Sequence, residues 1–201
     1  MSILLIAGSP SRPSRSGALL QAVGLRLEAE GLPVEPLLQL SALDPAALLG
    51  AQFHSAGIVR ATRQVAEADA LVIATPVYKA AYSGLLKTFL DLLGQTALKG
   101  KLVLPLATGG SPHHMLALDY ALRPVLQSLG ARHILPGIYA TDQGVPLLPK
   151  GGYGLASDIA ERVDDAAQLL ATELRRAQLW QQVQETRAFE GAAFAGVRCS
   201  A

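Results

Sequence analysis

The sequence predicts a doubly wound α/β domain built on a five-stranded parallel sheet, and three observations predict it. Short apolar runs without polar alternation recur along the chain, amphipathic stretches of helical period separate them, and glycine- and proline-containing loops follow several of the runs. An unbroken apolar run is what a parallel strand covered on both faces requires. Residues 2–7 (Ser-Ile-Leu-Leu-Ile-Ala) are the first such strand. Residues 16–30 follow as a helix, with Leu19, Leu20, Val23 and Leu27 at helical spacing and Gly31 in the usual terminating position. A second strand is expected over 33–40, then a helix over 59–68. Ala70-Leu-Val-Ile-Ala74 is the clearest strand after the first and ends at Thr75-Pro76. A helix over 84–93, a fourth strand over 101–107 and a helix over 114–129 come next. That helix carries Met115, Leu118, Leu122, Val125 and Leu129 on one stripe. The fifth strand is expected over 133–140 and the last helix over 156–178.

Short loops and right-handed crossovers favour the strand order 2-1-3-4-5, the flavodoxin-like arrangement with helices on both faces; a Rossmann-type order fits the same pattern. In both, ligands bind outside the carboxyl ends of the strands, so the loops that matter are 8–16, 75–83, 108–113 and 140–153. We place one domain at 1–178 and a tail at 179–201, where the periodicity fades, as a mobile segment or an oligomer contact.

Composition excludes several function classes. Half of the 201 residues are hydrophobic, enough for one sizeable core. Net charge is +1 with no basic run, which argues against nucleic acid as a partner. No apolar run approaches the roughly 18 residues that cross a bilayer. The apolar start breaks at Gly8-Ser9-Pro10 and reads as a buried strand rather than a signal peptide. Cys199 is the sole cysteine, so no intrachain disulfide forms, which fits a reducing compartment. His113 and His114 lack accompanying carboxylates or thiols, so no metal site is expected.

Three loops carry chemistry. Gly8-Ser9-Pro10-Ser11-Arg12-Pro13-Ser14-Arg15-Ser16-Gly17 sets hydroxyls and two guanidinium groups before a helix N-terminus, whose free N–H groups favour an anion. Serine hydroxyls and an arginine fork suit the oxygens of a phosphate. Neither the dinucleotide glycine pattern nor a Gly-Lys-Ser/Thr is present, so a monophosphate is the better reading, with an ordinary serine-capped loop as the alternative. Thr75-Pro76-Val77-Tyr78-Lys79-Ala80-Ala81-Tyr82-Ser83-Gly84 offers small and aromatic residues to a flat ring, or else packs on its own helix. Thr108-Gly109-Gly110-Ser111-Pro112 allows close backbone approach. In Asp119-Tyr120-Ala121-Leu122-Arg123-Pro124, Pro124 cannot donate to the Tyr120 carbonyl, which predicts a π-bulge or a plain kink.

Together these segments resemble the NADPH-dependent FMN reductases over residues 1–175, nearest to the reductase partners of two-component alkanesulfonate monooxygenases. The resemblance implies that Ser9, Ser14, Arg15 and Ser16 bind the FMN phosphate. It implies that Pro76, Val77, Tyr78 and Lys79 contact the flavin ring or ribityl chain, with Thr108, Gly109 and Gly110 opposite. Of the loop's two arginines, Arg15 is favoured over Arg12. Tyr120 matches the inserted residue of a π-helix at a subunit interface, a place in oligomerisation and flavin transfer. The implied reaction is hydride transfer from NADPH to flavin N5 with no protein acid, base or nucleophile. The resemblance further implies that reduced flavin passes to a flavin-dependent monooxygenase in sulfur assimilation, and that the protein is a cytoplasmic homodimer or homotetramer. A quinone or azo reductase with bound FMN, and a flavodoxin-type electron carrier, are the rival readings; the near-zero net charge speaks against the carrier.

Overall fold

The five side chains of β1 (Ile3–Ala7) are all buried, and they alternate between two cores. Ile3, Leu5 and Ala7 join one, Leu4 and Ile6 the other. That division is the reason for the unbroken apolar run. In this computed structural model, which describes residues 1–194, helices cover both faces of the sheet. One face is closed by α1 (Arg15–Ala29) and α6 (Ser157–Phe194). The other is closed by α2 (Pro45–Leu49), α3 (Ala56–Glu67), α4 (Gly84–Leu90) and α5 (Arg123–Ser128). The expected α1 stripe is the buried one, and Gly31 ends the helix at φ +76°, a left-handed conformation that glycine adopts without penalty.

The remaining strands are β2 (Leu38–Gln39), β3 (Ala70–Tyr78), β4 (Ala81–Tyr82), β5 (Leu102–Gly109), β6 (His133–Ile134) and β7 (Ile138–Thr141). Their order is β2-β1-β3-β5-β6, with β7 also on β5, and every pair is parallel except β3 with β4. This is the expected 2-1-3-4-5 sheet. Seven strands stand where five were expected because β4 is a short hairpin arm and the fifth strand is divided in two.

The division has a cause. Pro105 lies mid-way along β5 with no N–H to give, and the break between β6 and β7 at Leu135-Pro136-Gly137 lies opposite it. A Cβ at Gly137 would stand 2.7 Å from the Pro105 carbonyl oxygen, so the chain passes there only as glycine. Proline also shortens the second strand: with Pro33 and Pro36 in the run, 33–40 keeps only β2 and a single bridge from Val34 to Ile3. Helix α2 was not expected, although Asp44-Pro45 is a capping pair, with Asp44 Oδ1 accepting from the Ala46 N–H at 3.1 Å.

The helix expected over 114–129 is three pieces: a 3₁₀ turn (Pro112–His114), a π-helix (Leu118–Leu122) and α5. In the π-turn the Arg123 N–H reaches back to the Leu118 carbonyl, a five-residue step that absorbs the donor missing at Pro124. The bulge is present and the plain kink is not. The last helix passes the boundary placed at 178 and runs to Phe194, so the segment called a tail begins inside a helix. The part of that call concerning 195–201 lies outside the described residues. Among the described residues no helix is long and apolar enough to cross a membrane.

Candidate functional site

The carboxyl ends of β1, β3 and β5, with the loop after β7, enclose a cleft of about 310 Å³. It lies where the chain's connections reverse across the sheet, the position at which ligands bind in such folds. Ten of the sequence-predicted residues line it: Ser9, Ser14, Arg15, Ser16, Pro76, Val77, Tyr78, Thr108, Gly109 and Gly110. Lys79 does not, and Arg12 is likewise absent from the wall. Ser11, Pro13, Asp142 and Tyr153 complete it.

One end of the cleft is built for an anion. Ser14 caps α1, its Oγ accepting from the Gly17 N–H at 3.1 Å. The Arg15 and Ser16 N–H groups in the first turn have no intrahelical carbonyl to meet, and the helix dipole adds a partial positive charge. The Ser16 Oγ is buried and, among the described residues, has no hydrogen-bond partner. A buried hydroxyl without a partner is costly, and an acceptor entering the cleft removes the cost. The Arg15 Nε donates to the Val145 carbonyl at 3.1 Å and lies 3.4 Å from Asp142 Oδ1. Its Cζ sits 5.1 Å from the centre of the Tyr153 ring. These three groups hold the guanidinium in the cleft wall, where its fork suits a phosphate. This chemistry fits the phosphate of a flavin mononucleotide.

The second wall is a braced hairpin. Thr75 Oγ1 accepts from the Ser83 N–H at 2.9 Å, and Ser83 Oγ donates to the Gly8 carbonyl at 2.5 Å while capping α4 at Leu86. These buried hydroxyls tie the hairpin to the phosphate-type loop. Lys79 and Ala80 form the tip between β3 and β4 at φ +49° and +63°. Positive φ at both central residues belongs to the two-residue hairpin turn that normally takes Asn-Gly. Lys79 is exposed at this tip, outside the residues that line the cleft. Lys79→Gly should raise stability by about 1 kcal/mol, read as a thermal midpoint about 2–4 °C higher; an unchanged or lower midpoint would show the turn to be unstrained.

The third wall is held by Tyr139. Its hydroxyl donates to the Ser111 carbonyl, and burial, with the Asp142 carboxylate adding to it, raises its pKa, so it remains a donor. A Cβ at Gly109 would lie 2.5 Å from that hydroxyl, whereas Gly110 faces open space. Tyr120 lies outside the cleft, exposed on the π-helix beside Leu116, whose carbonyl accepts the Tyr120 N–H. No group of three metal-ligating side chains occurs among the described residues. Asp142 and Tyr153 sit in the 140–153 loop that the sequence flagged, but nothing local distinguished them from its other residues.

Residues 1–146 match the family model described as NADPH-dependent FMN reductase. The FMN reductase (NADPH) of Escherichia coli (strain K12) is 52% identical over 146 residues, covering 72% of this chain and 75% of the relative. Among solved structures, the apo form of an NADH:FMN oxidoreductase (EMOB) superposes with a TM-score of 0.77 at 40% identity, covering 86% of this chain and 89% of that one. A flavodoxin of Streptococcus pneumoniae TIGR4 superposes with a TM-score of 0.59 at 18% identity, over 86% of this chain and 98% of that one, which shows the fold alone. The chain belongs to the NADPH-dependent FMN reductase family, a family of oxidoreductases whose cofactors are FMN and NADPH.

Proposed function

We propose that this protein reduces FMN with NADPH and that the cleft is where both meet. The observation that carries the reading is the convergence of the partnerless Ser16 hydroxyl, the α1 N-terminus and the Arg15 guanidinium at one end of a cleft on the sheet's switch point. When bound, the two cofactors supply the chemistry themselves, a hydride passing from the nicotinamide to the flavin. The chain's part is to hold and orient. Ser9, Ser14, Arg15 and Ser16 take the phosphate, Pro76, Val77 and Tyr78 flank the ring or ribityl chain, and Thr108, Gly109 and Gly110 close the opposite side. Lys79, at the hairpin tip beside Tyr78, completes the set that meets the flavin ring or ribityl chain. The test is NADPH oxidation followed with and without added FMN. Turnover that saturates with FMN supports the reading, and NADPH oxidation independent of FMN contradicts it.

A flavin that is substrate rather than fixed group goes on to a second enzyme, and the sequence resemblance points to a two-component monooxygenase that acts on alkanesulfonates. A reducing, cytoplasmic location fits both the nucleotide and the single cysteine. The exposed Tyr120 on the π-helix, with Leu116 and Met115 in the turn before it, suits an interface between copies of the chain. Tyr120→Ala is then expected to shift the oligomer to smaller species in sedimentation and to change flavin retention; unchanged mass and retention would remove Tyr120 from that role.

A further inference from the structure

A carboxylate in the wall of an anion site needs a reason, since it repels the group the site binds. Asp142 is such a residue: it lines the cleft and its Oδ1 lies 3.4 Å from the Arg15 Nε. Asp142 is not required to anchor Arg15. The same Nε already donates to the Val145 carbonyl at 3.1 Å, and the Tyr153 ring supports the guanidinium from another side. Two anions therefore share one cation when a phosphate is bound.

We propose that Asp142 is a release residue: by its charge beside Arg15 it keeps FMN weakly bound so that reduced flavin can leave. The inference rests on the proposed phosphate site. Without flavin, the Asp142 carboxylate balances the Arg15 charge. With the phosphate dianion bound, the cluster carries net negative charge, and each anion weakens the other's hold on the guanidinium. Asp142 is half-exposed, so water screens the repulsion and limits its size.

The test compares Asp142→Asn, Asp142→Glu and the wild-type chain, by FMN and riboflavin titration. The amide keeps an acceptor oxygen for Arg15 and removes the charge. Asp142→Asn is expected to lower the FMN dissociation constant by about threefold to tenfold, leave riboflavin affinity unchanged, and slow FMN dissociation. Asp142→Glu, which keeps the charge, should bind FMN as the wild type does, and the gap between wild type and Asp142→Asn should narrow as salt is raised. FMN binding that is unchanged or weaker in Asp142→Asn overturns the proposal, as does an equal change for riboflavin. Arg15→Ala separates the two levels. If it weakens FMN binding while Asp142→Asn fails to tighten it, only the release role falls. If Arg15→Ala leaves FMN affinity untouched, the phosphate site falls and the release role with it.

Discussion

Arg15→Ala is expected to weaken FMN binding by about tenfold to a hundredfold and to leave riboflavin binding within twofold of the wild type. The substitution removes a guanidinium from the cleft wall, and a hydrogen bond to a charged group contributes about 1.5–3 kcal/mol. That range is close to one to two decades of affinity. Riboflavin has no phosphate and so reports everything else the substitution disturbs. In NADPH oxidation the same loss appears as a raised KM for FMN with kcat little changed, because no step of the hydride transfer passes through the side chain. Arg15→Lys should recover only part of the affinity. An ammonium carries the charge but lacks the flat fork that lies on Tyr153 while donating to Val145. Equal losses for FMN and riboflavin would mean that Arg15 supports the loop and not the ligand.

The second large effect is expected at Ser83, which lies behind the cleft lining. Its buried hydroxyl donates to the Gly8 carbonyl and accepts from the Leu86 N–H, so alanine leaves one buried acceptor and one helix-start donor without partners. The cost should be about 2–4 kcal/mol, large against the total stability of a domain of this size. It should also reach the site, because the lost bond is the tie between the hairpin and the loop that holds Ser9. We expect Ser83→Ala to lower the midpoint of chemical denaturation and to raise the KM for FMN together, with Ser83→Thr, which keeps the hydroxyl, recovering part of both. A stability loss with unchanged KM would show that the two loops keep their relative position without this bond.

How much of this was legible in the sequence depended on how local each feature is. The first, third and fourth strands could be read because burial on two faces forbids polar alternation, as Leu4 and Leu5 show by entering different cores. The second and fifth strands were overdrawn because an apolar run does not reveal which N–H groups proline has removed; Pro36 and Pro136 cut both short. The π-helix was legible for the opposite reason, since Pro124 acts on its own turn. Ten wall residues were found because the three loops that hold them adjoin strand ends. The tight hairpin tip was not legible because two successive positive φ values leave no mark in a Lys-Ala pair. Asp142, Val145 and Tyr153 come to Arg15 from the far end of the chain, the Val145 contact spanning 130 residues, and no spacing pattern links them. The braces at Thr75 and Ser83 lay inside a segment recognised for other reasons; only the structure assigns them their work.

The most direct test of the phosphate site is a crystal structure of the chain with FMN bound. The phosphate is expected at the N-terminus of α1, accepting from the Ser16 Oγ and the terminal amino groups of Arg15, with the ring between the Pro76–Tyr78 and Thr108–Gly110 walls. A flavin whose phosphate lies away from α1, leaving the Ser16 hydroxyl without a partner, would contradict it.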